Sequence, residues 1–169
     1  MKTSIKTTIV TLLTTIVLSS TLMSNVNAAD KKPLRMATPS FRKVNVKGNV
    51  DVKLVQAEKA GVIADPENNG AKVNVKMDGD VLRISSNSKK RAKIIVYVKD
   101  IYRVEASGNS FVSNFGQLDL KHLQIVLDDT AFANINVKTE QTYTLLKGQS
   151  RLFMNDMPSG LALNRNVSK

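Results

Sequence analysis

The residues best suited to bind a ligand form one short basic run, Ser88-Lys89-Lys90-Arg91-Ala92-Lys93. Lysine and arginine side chains at such density bind phosphate or sulfate groups. The candidate polyanion contacts are therefore Lys89, Lys90, Arg91 and Lys93. The run also lies between two strand patterns, where a solvated loop or a lysine-protected strand edge has the same composition. Loop or edge protection is favoured over a dedicated binding site.

Residues suited to catalysis are few. The chain has 1 His and no Cys, which excludes zinc-thiolate sites, a Cys nucleophile and any site that needs two imidazoles. His122 has no nucleophile motif and no carboxylate at a fixed spacing, so a surface histidine is the favoured interpretation. We predict no catalytic residue, no cofactor and no metal site, and therefore no enzyme.

Two acidic segments are candidates for a hard-cation site, and the first, Asp128 and Asp129, is also a candidate for an acid/base site. Asp128 and Asp129 are adjacent, so on a strand their side chains point to opposite faces, and as turn residues they need no ligand. The segment from Asp65 to Gly70 is rich in oxygen ligands but lacks the spacing of an EF-hand loop. A turn is the favoured interpretation of both segments.

The first 28 residues predict export. Lys2 and Lys6 precede an apolar stretch from Ile9 to Met23, and Ala28 ends a segment of small residues suited to a signal peptidase. We expect cleavage after Ala28 and no transmembrane span in the mature chain. The predicted organisation is a signal peptide over 1–28, a flexible lead-in over 29–40, an all-β domain over 41–157 and a tail over 158–169.

Net charge and composition limit the partners. The charge of +11 and the isoelectric point near 10.0 favour an anionic neighbour without specifying one. An exported chain without Cys is typical of bacteria. Aromatic residues make up 5% of the chain, and Phe111, Phe132 and Phe153 are expected in the core. No stacking platform then remains, and specific nucleic-acid binding is not expected.

Apolar and polar residues alternate through most of the chain after residue 41. The alternation is rich in β-branched side chains and predicts strands with one buried face, separated by turns rich in Gly, Asn and Asp. Little helix is expected. The alternating sets are Val44, Val46, Val50, Val52 and Leu54; Val73, Val75 and Met77; and Ile94, Val96 and Val98.

Three segments in the second half align with one another at offsets of 21 and 20 residues. Stacked copies of such a strand-corner-strand unit bury a face that one copy cannot, which favours a β-solenoid. Gly48, 60 residues before Gly108, is expected about three turns earlier. An antiparallel β-sandwich is the alternative. The expected ladders are Tyr102 with Leu123 and Tyr143, and, in the interior, Phe111 with Phe132 and Leu152.

Three motifs carry a family resemblance over about Phe41 to Met157. They are Phe41-x-x-Val44-x-Val46-x-Gly48-x-Val50-x-Val52-x-Leu54, Gly79-x-x-Leu82-x-Ile84 and Val104-x-Ala106-Ser107-Gly108-Asn109-Ser110. Together they resemble the head GIN domain family, an auto-transporter adhesin-type family of unknown function. The resemblance implies an exported bacterial protein with a single-stranded, right-handed β-helical fold, and it transfers no catalytic residue.

The function predicted from these observations is an adhesin-like structural or interaction module of the bacterial envelope or cell surface, periplasmic or extracellular. The first alternative is a polyanion-binding protein that uses the basic run. A carbohydrate-active hydrolase or lyase is the third interpretation, and the fewest residues support it. The expected partner is an envelope or surface protein or an anionic polymer, and open strand edges would also allow a homo-oligomer.

Overall fold

The computed structural model describes residues 35–65, 71–155 and 162–165, with side chains for 38–65 and 71–155. All regular structure in this part of the chain is β-strand, so the predicted all-β class is confirmed. The same residues contain no helix of the length and apolarity needed to span a membrane. The predicted signal peptide lies outside them.

The described residues form 13 strands. Two of them, β1 and β13, lie in the segments predicted as lead-in and tail. The strands are β1 (Arg35–Ala37), β2 (Lys43–Gly48), β3 (Val50–Gln56), β4 (Gly61–Ala64), β5 (Asn74–Asp78), β6 (Val81–Ser86), β7 (Ala92–Val98), β8 (Arg103–Ser107), β9 (Phe111–Phe115), β10 (Leu118–Leu127), β11 (Phe132–Leu146), β12 (Arg151–Asn155) and β13 (Ala162–Arg165).

The alternation in the sequence corresponds to the inner face of these strands. In β2 and β3, for example, Val44, Val46, Val52 and Leu54 are buried, while the residues between them are partly or fully exposed. Burial of one side chain in two is what an alternating strand with a single core face requires. The alternating set Val73, Val75 and Met77 is only half-buried, because β5 is an edge strand.

The strands form two ladders that share the long strand β11. The first ladder has the order β1-β4-β7-β3-β9-β11-β12, and the second has the order β5-β6-β2-β8-β10-β11-β13. Among the strands with described placement, antiparallel pairs occur only where β1, β4 and β5 end the ladders. The other described pairs are parallel, which is unlike the antiparallel sandwich.

The layers do not all stack in chain order. The layer of β2 and β3 lies between the layer of β6 and β7 and the layer of β8 and β9. As a result, Lys43 pairs directly with Arg103. Gly48 and Gly108 are therefore neighbours in adjacent layers, and the expectation that three turns separate them is wrong. From Arg103 onward, successive layers do follow chain order.

The predicted alignment of the three segments is correct for the first two and one residue out for the third. Leu123 pairs with Thr142 rather than Tyr143, and Phe132 pairs with Arg151 rather than Leu152. A shift of one residue exchanges the two faces of a strand, because side chains alternate. Thr144 is consequently buried in the core, in the position expected for Leu145.

The predicted interior aromatic ladder is also wrong. Phe111 and Phe132 do lie opposite each other, with ring centroids 5.3 Å apart and an angle of 24° between the planes. Their neighbours Val112 and Ala133 are the buried residues, so both rings face outward. An apolar side chain does not by itself determine which face of a strand is buried, and here the aliphatic residues occupy the interior.

One column of corner residues keeps the layers in register. Gly48, Gly108, Asp129 and Gly148 all have positive φ, from 56° to 86°. A Cβ on Gly48 would lie 2.2 Å from the carbonyl oxygen of Ser86, and a Cβ on Gly108 would lie 3.0 Å from the Cα atom of Gly48. Asp129 carries a side chain here because its Oδ2 accepts a hydrogen bond of 2.9 Å from the Gly108 N–H.

We predict that Gly48→Ala destabilises the fold much more than Gly79→Ala. Both glycines have positive φ, but a Cβ on Gly79 would meet no atom within 4 Å. Gly79→Ala therefore measures backbone strain alone, about 1–2 kcal/mol. Gly48→Ala adds a clash with backbone and should lower the free energy of unfolding by at least about 2 kcal/mol more. Equal losses in chemical denaturation would contradict the close packing of this corner.

We predict that Thr144→Val stabilises the protein by about 1 kcal/mol, because a buried hydroxyl without a partner is replaced by an isosteric methyl group. Thr144 is 0% exposed, and its Oγ1 has no hydrogen-bond partner in the described structure. The control is Thr139→Val, since Thr139 Oγ1 donates to the Lys121 carbonyl at 3.0 Å. Thermal unfolding should show opposite signs for the two substitutions.

Candidate binding surface

The predicted basic run lies at one margin of the first ladder. Lys89, Lys90 and Arg91 belong to the loop between β6 and β7, and Lys93 is the second residue of β7. All four side chains are exposed. The structure therefore groups them on one side of the molecule, but it places three on a loop and one on the strand face.

Arg91 attaches this loop to the corner column. Its Nη2 donates to Oδ1 of Asn109 at 2.9 Å, and its Nε donates to Oδ1 of Asn49 at 3.2 Å. Asn49 in turn donates from Nδ2 to the carbonyl oxygen of Lys89 at 2.9 Å. These contacts give Arg91 a structural role, because the guanidinium already bridges two layers.

Lys93 lies beside an acidic residue that the sequence analysis did not single out. Asp51 of β3 pairs with Lys93 in the ladder and is half-buried. Burial raises the pKa of the Asp51 carboxyl, while the charges of Arg91, Lys53 and Lys93 act in the opposite direction. The basic margin thus surrounds one carboxylate whose charge is poorly solvated.

The outward side of the first ladder carries aromatic and aliphatic side chains, and we call it the aromatic face. Phe115 is 72% exposed and Phe153 is 55% exposed. Val55 pairs with both Tyr97 and Phe115, so these three side chains form one continuous row across three strands. The apolar residues of the face are Val55, Ile95, Tyr97, Phe111, Phe115, Phe132 and Phe153.

Cationic side chains lie among these rings. Lys53 and Lys93 are exposed on the same side of β3 and β7. The guanidinium carbon of Arg151 lies 5.8 Å from the centre of the Phe132 ring, in a cation–π contact. The sequence analysis missed this surface, because it assigned the phenylalanines to the core. Phe111 lies between Ser110 and Val112, and this local sequence allows either Phe111 or its two neighbours to face the core.

The acidic candidates act as corner residues. Oδ1 of Asp128 accepts a hydrogen bond of 2.8 Å from the backbone N–H of Asp129. As described above, Oδ2 of Asp129 accepts a hydrogen bond from the backbone N–H of Gly108. Among the residues with described placement, no group of three His, Cys, Asp or Glu side chains could hold a metal ion. Asp65 is described, but residues 66–70 of the second acidic segment are not.

The single histidine lies in a different place from the basic run. His122 is exposed on β10 and lines an open groove of about 650 Å³. The groove also contains Tyr102 and Tyr143, whose rings are half-buried and exposed, respectively. His122 is thus a surface residue, as expected, but its neighbours include two aromatic rings.

We predict that Asp51→Asn raises stability at neutral pH and has little effect in acid. Because burial raises the pKa of Asp51, the folded state binds this proton more tightly than the unfolded state. The ionised carboxylate therefore destabilises the fold above its ordinary pKa of 3.8, and this effect disappears as the pH falls below that value. Urea titrations at neutral and acidic pH measure it. A variant less stable than wild type at neutral pH only would show that the cations dominate.

Two solved structures show a similar fold. A putative adhesin from Parabacteroides merdae has a TM-score of 0.61 and 17% identity, over 73% of this chain and 55% of the other. A putative lipid binding protein from Parabacteroides distasonis also has a TM-score of 0.61, with 13% identity, over 77% of this chain and 59% of the other. The chain thus spans less than two thirds of either solved protein. No curated protein matches its sequence.

A family model matches the chain over residues 40–155, and its description is "Putative auto-transporter adhesin, head GIN domain". This range includes both ladders from β2 to β12, the corner column and the aromatic face. The match covers well over half of the chain and agrees with the resemblance seen in the motifs. The chain belongs to the head GIN domain family.

Proposed function

We propose that this chain is an exported, adhesin-like interaction module of the bacterial envelope or cell surface, that it binds through the aromatic face, and that it has no catalytic activity. The observation that carries this proposal is the exposure of Phe115 and Phe153 on one continuous sheet face. Exposed apolar patches of this kind mark interaction sites. Large rings held on strands also lose little conformational entropy on binding.

The ladder geometry suits a broad, flat contact. Neighbouring strands lie about 4.8 Å apart, so outward side chains form regular rows across the layers. Lys53, Lys93 and Arg151 add positive charge among the rings, which speeds the approach to an anionic surface. Apolar contact would then supply affinity, and the cations would supply steering. An envelope protein or an anionic envelope polymer fits this combination.

The names of similar proteins support an envelope location. The family is described as "Putative auto-transporter adhesin, head GIN domain", and the P. merdae protein as a putative adhesin. The P. distasonis protein is described as a putative lipid binding protein. Contact with a surface or an amphipathic partner is common to these descriptions. We propose a periplasmic or cell-surface location on this basis, together with the signal peptide predicted over residues 1–28.

We further propose that the layers from Arg103 onward are turns of a right-handed β-solenoid. Support comes from the parallel pairing of Arg103 with Gln124 and of Gln124 with Tyr143, 21 and 19 residues apart. These layers also follow chain order. A crystal structure with antiparallel pairs in this segment would refute the assignment.

The second candidate function is polyanion binding by the basic run. It is favoured by the exposure of Lys89, Lys90 and Lys93 on the same margin, close to Lys53. Binding by lysines to phosphate or sulfate releases counterions, so the affinity should fall steeply with salt. Binding by the aromatic face should depend on salt only weakly.

We predict that Phe115→Ser combined with Phe153→Ser reduces binding to purified bacterial envelopes about tenfold, because exposed aromatic anchors carry much of the energy of an interface. The loss should be similar at low and high salt. Sedimentation of the envelopes with bound protein measures the retained fraction. Both side chains are largely exposed, so the double variant should remain folded.

The comparison variant replaces Lys89, Lys90 and Lys93 with Gln and keeps Arg91 for its structural contacts. Its charge-matched control replaces three exposed lysines outside the basic run, Lys59, Lys76 and Lys147, with Gln. If only the first triple variant loses binding, and only at low salt, the polyanion function replaces the proposed one. If the phenylalanine variant binds as wild type does at both salt concentrations, the aromatic face is not the site.

A further inference from the structure

We propose that the groove beside His122 is a second binding site and that its ligand is an extended, uncharged glycan. This site is separate from the aromatic face and goes beyond the function proposed above. We call it the bend groove. Its lining includes Arg42, Tyr102, His122, Gln124, Gln141 and Tyr143, and its volume is about 650 Å³.

The groove exists because two adjacent strands change direction at the same layer position. In β10, Lys121 and His122 are both exposed, and in β11, Glu140 and Gln141 are both exposed. Two successive exposed residues interrupt the alternation of a strand and mark a bend. Pairing resumes with His122 opposite Gln141. Of these four side chains, His122, Glu140 and Gln141 line the open groove.

Two tyrosines line this groove, Tyr143 with an exposed ring and Tyr102 with a half-buried ring that packs against cations. Tyr102 is held in place, because the Arg42 guanidinium carbon lies 5.1 Å from its ring centre and Lys43 Nζ lies 5.5 Å from it. Tyr143 is 43% exposed. The C–H faces of pyranose rings pack on aromatic rings, and a ring already fixed by its neighbours loses little entropy on binding. Tyrosine rings with polar neighbours are therefore suited to packing against a sugar chain.

Planar polar groups line the same groove as the two rings. Gln124 Oε1 accepts a hydrogen bond of 3.2 Å from Arg103 Nη1, which leaves the amide NH₂ group to donate to a ligand. The side chains of His122 and Gln141 are exposed in the groove. Amide and imidazole groups donate and accept hydrogen bonds, as the vicinal hydroxyls of a sugar do.

The charge of the lining favours an uncharged ligand. Its permanent charges are those of Arg42 and Glu140, which offset each other, and Arg42 also lies 3.9 Å from Asp100. The basic run does not contribute to this charge, because it lies at a margin of the first ladder, whereas the groove lies on the second ladder. The lining residues come from adjacent layers about 4.8 Å apart, so an extended ligand can contact several layers along the groove. A chain of repeated hexose units can use such a series of contacts, whereas a compact metabolite cannot.

The test is calorimetric titration of the purified full chain with cellohexaose, maltohexaose and chitohexaose. At least one of them should bind, and its affinity should be insensitive to salt, since no counterion is released. Tyr143→Ala should weaken the binding about tenfold through loss of a stacking surface. Gln141→Ala should weaken it less. The matched control is Phe115→Ala, which removes an exposed aromatic ring outside the groove and should leave glycan binding unchanged.

Three outcomes would overturn the proposal. These are no heat signal from any of the hexasaccharides at millimolar concentration, equal losses for Tyr143→Ala and Phe115→Ala, and salt-sensitive binding of heparin that Tyr143→Ala abolishes. The last would identify the groove as a polyanion site instead. Envelope retention of Tyr143→Ala, measured in parallel, separates this proposal from the function of the aromatic face, which should be unaffected.

Discussion

Parallel strands can satisfy their backbone hydrogen bonds only if every layer turns its corner at the same place. In this protein that requirement falls on one column of residues with positive φ, at Gly48, Gly108, Asp129 and Gly148. The layers approach so closely there that a Cβ on Gly48 would overlap a backbone carbonyl. The register of both ladders, and hence the position of every outward side chain, depends on this close packing.

The corner column also explains the role of the polar residues around it. Asn49, Asn109 and Arg91 link three layers through side-chain hydrogen bonds. A residue that looks like part of a cationic binding site thus acts as a connector between layers. The lysines around it are exposed and add positive charge to this margin, and the aromatic face begins immediately beside them. The same margin of the sheet therefore contains the residues that link the layers and the lysines that contribute to the proposed binding.

Two surfaces with different chemistry result from the same architecture. The aromatic face combines exposed rings with cations, so it suits a flat or anionic partner. The bend groove combines two tyrosines with amides and nearly balanced charge, so it suits an uncharged chain of sugars. Both arise because in-register strands repeat outward positions at a constant spacing. A module with two such surfaces would be able to engage an envelope component and a glycan at once.

Part of this arrangement was predictable from particular residues. The alternation of Val44, Val46, Val52 and Leu54 with polar residues predicts strands, and these side chains are indeed the buried ones. The lack of Cys and the single His limit the chemistry of any site. The fit to the head GIN domain family was also visible in the strand and corner motifs. These features depend on local pattern and composition, which the sequence contains in full.

Only the tertiary structure determined the register between strands and which face of each strand is buried. Leu152 and Phe153 are both apolar, and only the pairing of Phe132 with Arg151 determines which of the two faces outward. The insertion of β2 and β3 between later layers is likewise a long-range pairing that no local pattern encodes. Alternation determines that a strand has two faces, but contacts between distant strands determine which face is buried. For this reason the strands followed from the sequence, and the aromatic face and the bend groove required the folded chain.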